Sequence, residues 1–468
     1  MGQTGVRAAR RLAVVMPLAA HTRTLGPGQG QGSGAGPVEQ AKKPDWLSLV
    51  VLYLPFIGVT LISKFALTLG ATEILIGVPV ILGATFLGLL TGRLTPEPRR
   101  LALYLLMVAV LTAEQAFTAG NFSFTSLMLI VMLHLAYAFK LHGVGDDSLP
   151  YLQRFLNFSL FICVLGIIQY PAQFVIGARL AFPIEHFTPS SLITHRYNYL
   201  NALAYGSTTY KANGLFMLEP SYYSQLLGIA LLLELAGPQR LWRMAVYGLG
   251  FVVAFSGTGL VMVAMTLPTL LIVYKRYSLL VAAIVGGALV IAFGESLGLS
   301  LFLERAQEFN YTESSGYMRY VGPAKLIGQY LSNDPVKALF GLGAGMMLRT
   351  TPWPMYNASE TGWAKLILEF GVVGAATYFW FLYSCVFRSS QPSVLRMALA
   401  AMTLLNGIFD PPHHGMILTL LIWMPPLKTP WVFTKAPPKP KRPVGPAYPP
   451  PRRVARPARA TLPGFRLE

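Results

Sequence analysis

Charge and cysteine are both scarce in this sequence of 468 residues. Only 12% of the residues are charged and 54% are hydrophobic, whereas soluble domains carry about 25% charged residues. The two cysteines, Cys163 and Cys385, lie in apolar segments, which argues against a disulfide framework or a cysteine-bound metal. The seven histidines show no spacing typical of zinc ligands. We expect an integral membrane protein without a metal or another cofactor.

Acidic residues are few, at 19 against 37 Lys and Arg, and the net charge is +18. Most of this excess lies in residues 1–44, which are otherwise rich in Gly, Gln, Ser and Pro, and in the Pro/Arg-rich residues 428–468. No recognised nucleic-acid-binding motif accompanies the charge, so we expect no nucleic-acid partner. Both segments are interpreted as basic cytoplasmic tails near membrane lipid, flanking a transmembrane domain at 45–427.

Apolar runs long enough to cross a bilayer recur between the tails, since a spanning helix needs about 20 residues. They predict an all-α membrane protein with about 12 transmembrane helices. The predicted spans begin near Trp46, Ala71, Leu101, Ser123, Asn157, Phe216, Met244, Thr258, Ser278, Trp363, Val394 and Met416. The chain contains no visible repeat of fixed period, so the composition favours one large bundle.

The short loops between these spans alternate in charge. One set contains Lys and Arg, and the other set has neither. By the positive-inside rule, the basic loops and both termini are expected in the cytoplasm. Residues 7–20 resemble a signal peptide, but cleavage would turn every basic loop outward, so we expect this segment to be retained. Two long loops, at about 179–215 and 297–362, are then predicted on the outer side.

The first outer loop contains two candidate site residues. Lys211 is followed by Glu219, which lies at the predicted membrane edge and immediately before Pro220. A carboxylate at that depth is costly unless it is paired or hydrated, which makes it a candidate functional group. The structural alternative is a helix start at which Glu219 complements the helix dipole. Arg196 of the same loop is a candidate for substrate binding.

The second outer loop contains Arg319 before a helical pattern, a glycine-rich turn at 341–345, and Glu360 before the next span. Successive glycine backbones can present N–H groups to phosphate oxygens, so Gly343 and Gly345 are candidates for substrate binding. Arg349 is a further candidate cation.

These motifs resemble the O-antigen polymerase and O-antigen ligase family of bacterial membrane enzymes. The resemblance covers about residues 150–385. The motifs, in chain order, are Gly214-Leu-Phe with Glu219-Pro-Ser, Ser256-Gly-Thr-Gly, Arg319, Leu342-Gly-Ala-Gly345, and Glu369-Phe-Gly371 with Gly374.

The resemblance implies an inner-membrane enzyme that uses undecaprenyl-diphosphate-linked glycan at the periplasmic face. Cations would stabilise the departing diphosphate, and a base would accept a proton from the acceptor hydroxyl. Arg319 and Lys211 suit the first role, and Glu360 or Glu219 suits the second. Lys211 stands where family members often have Arg. Glu360 stands where ligases have His, which favours a polymerase of exopolysaccharide, capsule or O-antigen.

Two other functions stay open at this stage. An O-antigen ligase-like transferase would share the fold and use another acceptor. A polysaccharide transporter or flippase is the second alternative, although the sequence shows no inverted repeat and transport does not explain the long second outer loop. The resemblance also implies a chain-length regulator protein as a partner. The sugars and their linkage do not follow from the sequence.

Overall fold

The computed structural model describes residues 44–431, apart from 70–71, 119–121, 196, 204–206, 313, 315, 351–359 and most of 282–309. The predicted tails 1–44 and 428–468 therefore lie almost wholly outside the described residues, and so does the candidate Arg196. The remainder is mostly helical, in agreement with the predicted fold class.

In the described part of the chain, eleven helices lie between residues 44 and 272, and several of them are short. They are α1 (Trp46–Tyr53), α2 (Val59–Leu61), α3 (Gly77–Leu90), α4 (Pro98–Glu114), α5 (Phe124–Leu135), α6 (Leu149–Val175), α7 (Ala178–Ala181), α8 (Pro183–Phe187), α9 (Pro220–Ala236), α10 (Leu241–Ala254) and α11 (Gly257–Ile272). A further helix begins at residue 277 and is described continuously to 281.

Six helices follow in the rest of the described chain. They are α12 (Gly322–Leu331), α13 (Pro335–Phe340), α14 (Met347–Thr350), α15 (Gly362–Phe387), α16 (Ser393–Leu405) and α17 (Pro411–Ile417). The described residues also form π-helical turns at Leu54–Gly58, Tyr317–Val321 and Leu418–Ile422. Two small antiparallel hairpins pair β1 (Ala66–Leu69) with β2 (Thr72–Leu75), and β3 (Leu94–Pro96) with β4 (Phe139–Leu141).

Three of the described helices are long and apolar enough to cross a membrane. They are Pro98–Phe117, which is α4 with its final 3₁₀ turn, Leu149–Val175 and Gly362–Phe387. Shorter apolar helices include α3, α10, α11 and α16. A described helix begins within five residues of ten of the twelve predicted span starts, whereas α3 begins six residues after Ala71 and α6 begins eight residues before Asn157. The structure therefore supports a helical membrane protein.

Local chemistry explains several helix starts. Asp45, Glu97 and Ser123 accept hydrogen bonds from backbone N–H groups in the first turns of α1, α4 and α5, as N-cap residues do. Proline occupies the first position of α9 and α17, where its missing N–H costs no intrahelical bond. The predicted start of a helix at Glu219-Pro220 is thus confirmed.

Helix α9 lies in the interior of the bundle, because its side chains are buried almost all round. A helix that is apolar on every side is typical of such a position. It packs closely against α11, where a Cβ atom added to Gly259 would come within 2.4 Å of the carbonyl oxygen of Ser224. Glu219 is the N-cap residue of this central helix, so the N-terminal end of α9 determines where its carboxylate lies.

Basic loops that are far apart in sequence meet at one end of the molecule. Arg93, Arg100, Lys140 and Arg388 line one cavity there. The C-terminal end of α9 lies near these basic loops. Trp431 Nε1 donates to the carbonyl oxygen of Leu233 in the last turn of α9 at 3.0 Å, and Lys428, three residues before Trp431, lines the same cavity. We call this the basic end. The N-terminus of α9 lies at the other end of that helix.

Helix α15 is kinked at Gly371, whose φ is 64° and ψ is −168°. A Cβ atom there would lie 2.3 Å from the carbonyl oxygen of Leu339, and one at Gly341 would lie 2.3 Å from that of Glu369. The two glycine residues therefore let the α13 end and the kink pack backbone to backbone. The predicted motifs around Gly341–Gly345 and Glu369–Gly374 meet at this contact.

Gly371→Ala is expected to lower the stability of the protein. A backbone with φ near 64° and ψ near −168° is almost restricted to glycine and costs another residue about 1–3 kcal/mol, and the clash with a backbone oxygen adds to it. Thermal unfolding of the purified protein in detergent measures the effect. Gly328→Ala in α12 is the matched control, because no atom lies within 4 Å of its Cβ position; it should be neutral or stabilising. Equal unfolding temperatures for Gly371→Ala and the wild type would contradict this role.

Candidate active site

A cavity of about 480 Å³ lies where the N-terminal ends of three helices meet. Glu219 precedes α9, Glu360 precedes α15 and Asp410 precedes α17, while Arg319 reaches the cavity from the π-helical turn at Tyr317–Val321. Apolar residues including Leu75, Met318 and Phe409 complete the lining. Among the described residues, one cation and three carboxylates from distant parts of the chain thus meet in the cavity, and they include three of the four predicted catalytic residues.

Arg319 is held by contacts to two other predicted motifs. Its Nη1 donates to Thr258 Oγ1 at 2.6 Å, and its Nη2 lies 3.3 Å from Glu219 Oε2. The side chain retains 20% of its exposure, and that of Glu219 retains 15%. Glu219 also accepts hydrogen bonds from the backbone N–H of Asn198 and from Ser221 Oγ, each at 3.0 Å. Arg319 is therefore fixed in place and still faces the cavity.

Glu360 also belongs to a second ion-pair group, which includes Lys365 and Glu369. Lys365 Nζ lies 3.2 Å from Glu360 Oε1 and 2.7 Å from Glu369 Oε1. The side chain of Lys365 is 1% exposed and lies over the ring of Phe409 at 5.2 Å. Lys365 was not a predicted site residue. It holds Glu360 at the edge of the cavity and offsets the charge of the buried Glu369.

Asp410 is the cavity carboxylate that the sequence reasoning missed. Tyr197 and Tyr222 donate their hydroxyl groups to it, and the backbone N–H of Gly407 donates at 2.8 Å. Burial raises the pKa of Asp410 to about 6, although these hydrogen bonds act in the opposite direction. In the part of the chain that the structure describes, no Lys or Arg forms an ion pair with Asp410.

The sequence did carry a signal for Asp410. Like Glu219, it precedes a proline at the start of a helix, in a loop that the charge pattern places on the outer side. Because the same argument about costly carboxylates applies to both residues, Asp410 could have been selected with Glu219.

Lys211, which was predicted to stabilise the diphosphate together with Arg319, is not among the residues that line this cavity. It is 7% exposed, and its backbone N–H donates to the carbonyl oxygen of Asn201 at 2.9 Å. The loop is instead held by Asn213, which donates to Glu185, the ion-pair partner of Lys64. Arg319 is the cation that lines the cavity in the part of the chain that the structure describes.

The glycine-rich turn at 341–345 uses its N–H groups within the protein. Leu342 and Gly343 donate to the carbonyl oxygens of Leu368 and Glu369 at 2.9 Å, and Ala344 donates to Gln115 Oε1 at 3.0 Å. These groups are therefore not available to phosphate oxygens. The predicted substrate-binding role of Gly343 and Gly345 gives way to a packing role, in which the turn braces the kink of α15.

Arg349 is exposed and lies outside the cavity lining, although its neighbour Leu348 is part of it.

His134 and His414 are buried and also lie outside the cavity lining. A hydrogen bond of 2.8 Å joins His134 Nε2 to the hydroxyl group of Tyr378. Another of 2.8 Å joins His414 Nδ1 to the hydroxyl group of Tyr137. Among the described residues, no group of three His, Cys, Asp or Glu side chains could hold a metal ion.

No protein-family model matches the chain, and a search of curated proteins found no match.

Proposed function

We propose that the protein polymerises undecaprenyl-diphosphate-linked oligosaccharide units at the periplasmic face of the bacterial inner membrane. In this proposal about twelve spans cross the membrane, both termini are cytoplasmic, and the two long loops face the periplasm. The observation that carries it is the cavity in which Arg319 and Glu219 from two outer loops meet Glu360 and Asp410. A cation among carboxylates, with apolar walls beside them, suits a lipid-linked diphosphate donor and a hydroxyl acceptor.

The reaction needs no nucleotide, because the sugar is already activated by its diphosphate. An acceptor hydroxyl oxygen attacks the anomeric carbon of the donor sugar, and the bond from that carbon to the diphosphate oxygen breaks. The diphosphate leaves with the bonding electron pair, and Arg319 stabilises the charge that grows on it. Arginine suits this role because its planar fork can contact two phosphate oxygens.

The proton of the attacking hydroxyl passes to a carboxylate. Glu219 and Glu360 were the predicted bases, but each already pairs with a cation, Glu219 with Arg319 and Glu360 with Lys365. Asp410 has a pKa of about 6, close to the working pH, which is favourable for general base catalysis. We therefore assign the base to Asp410, with Glu219 and Glu360 as groups that position Arg319 and the acceptor.

Reporter fusions test the proposed orientation. A reporter joined after Arg243 is expected to report cytoplasm, and one joined after Asn310 is expected to report periplasm. The reason is that Arg243 belongs to the basic loops, which positive-inside statistics place in the cytoplasm, whereas Asn310 lies in the second outer loop. The opposite pair of results would place the cavity on the cytoplasmic side and exclude the proposed reaction.

The lipid-linked glycans of a strain that lacks the protein test the proposed reaction. Single repeat units on the lipid are expected to accumulate, with no polymer. If long lipid-linked polymer accumulated without reaching its final acceptor, the ligase-like alternative would replace the polymerase. If single units accumulated only on the cytoplasmic side, the protein would be a flippase.

A further inference from the structure

A second cavity, of about 670 Å³, lies at the basic end. It is lined by five cationic side chains, which are Arg93, Arg100, Lys140, Arg388 and Lys428. Only two carboxylates, Asp45 and Asp146, line it with them. The positive-inside rule explains why cytoplasmic loops are basic, but it does not require cations from four separate segments of the chain to converge on one cavity. The excess of cations predicts an anionic ligand.

The carboxylates neutralise only part of this charge. Arg93 Nη2 lies 3.2 Å from Asp45 Oδ2. Arg100 lies beside Glu97, whose Oε2 is 3.8 Å from the arginine Nε, and its Nη1 lies 3.4 Å from the carbonyl oxygens of Phe139 and Ile422. Lys140 and Arg388 are exposed, and among the described residues neither forms an ion pair. These two side chains are therefore free to bind a ligand in the cavity.

The cavity also lies at the depth of lipid headgroups. Arg100 is in the first turn of α4, and Arg388 directly follows the last residue of α15. These two helices are candidate membrane spans and pack against each other. Cationic side chains at the ends of neighbouring spans lie where lipid phosphates lie, and basic pockets between spans are known to bind anionic headgroups.

We infer that this cavity binds a phosphate group, supplied by the headgroup of an anionic phospholipid in the leaflet at the basic end. Arg388 and Lys140 contact the phosphate oxygens, since guanidinium and ammonium groups form charge-assisted hydrogen bonds with them. Arg100, held by backbone carbonyl groups, faces the same phosphate from the end of α4. The inference does not depend on the proposed enzymatic reaction, because none of these residues lines the cavity of Arg319.

The experiment compares three full-length proteins by native mass spectrometry after extraction from nanodiscs. The nanodiscs contain phosphatidylcholine with or without phosphatidylglycerol. The test variant is Lys140→Gln with Arg388→Gln, and the control is Arg99→Gln with Lys275→Gln. The control also removes two exposed cations from basic loops, but neither residue lines the cavity. We expect a phosphatidylglycerol adduct on the wild type and the control, and about a tenfold or greater loss on the test variant.

Other outcomes decide between the possible sources of phosphate. If phosphatidylglycerol is not retained but inorganic phosphate raises the unfolding temperature of the wild type and not of the test variant, the phosphate site stands and the lipid source is wrong. Equal losses in the two double variants would mean that only the overall charge matters, and would overturn the inference. Equal retention of phosphatidylcholine, or no effect of either ligand, would overturn it as well.

Discussion

Arg319→Ala is expected to abolish polymer formation while the protein remains at its normal level in the membrane. Removing a group that stabilises charge in the transition state costs about 100- to 1000-fold in rate. Arg319→Lys should recover only part of the activity, because a point charge replaces a planar fork. The measurement is the length distribution of the glycan made by cells that carry each variant, at matched protein level.

Arg349→Ala is the matched control for this prediction. Arg349 lies on the same outer loop, but its side chain is exposed and outside the cavity, so polymer should be near normal. If Arg319 only paired with Glu219 at the loop surface, its loss would also cost little, since exposed ion pairs contribute about 0–1 kcal/mol. Near-normal polymer from Arg319→Ala would therefore exclude the proposed role.

Asp410→Asn is expected to lower the polymerisation rate by about 100- to 10,000-fold, the usual contribution of general acid–base catalysis. The wild-type rate should rise with pH through about 6 and then level off, because the base must be ionised and burial raises the pKa of Asp410 to about 6. The residual rate of the variant should lack this rise. Asn keeps the size of the side chain and can still accept a hydroxyl hydrogen bond from Tyr197 or Tyr222.

The stability of the wild type and that of Asp410→Asn should also depend on pH in different ways. The folded-state pKa of Asp410 is above its ordinary value of 3.8, so the folded protein holds this proton more tightly than the unfolded chain does. The contribution of Asp410 to stability therefore falls as the pH rises from about 4 to about 6 and is constant above that range. Asp410→Asn should remove this fall. A variant that lost stability but retained the wild-type pH profile of the rate would show a structural role only.

The helix positions could be predicted because apolar runs are bounded by residues with strong local preferences. Proline, for example, begins α9 and α17. The number of spans was less accessible, because helix length depends on interruptions that packing determines. A π-helical turn at Leu54–Gly58 separates α1 from α2, and a 3₁₀ turn ends α5 at Ala136–Ala138. Such turns leave several apolar helices shorter than a bilayer-crossing helix.

The candidate site was predictable where a motif contained a charge that could not be buried alone. Arg319, Glu219 and Glu360 met this criterion, and they share a cavity. Lys211 met it equally well, and nothing in the sequence shows that it lies outside the cavity lining. The glycine turn was ambiguous for a related reason, since N–H groups aimed at phosphate and N–H groups aimed at Glu369 have the same sequence pattern.

Polymerisation by the purified protein tests the central claim most directly. Proteoliposomes that contain only this protein are supplied with undecaprenyl-diphosphate-linked repeat units, and the lipid-linked products are separated by length. The account predicts lipid-linked chains of two or more units from the wild type, and single units alone from Arg319→Ala and Asp410→Asn. Wild-type protein that leaves every unit single would contradict the claim, and so would equal chain growth in the wild type and Arg319→Ala.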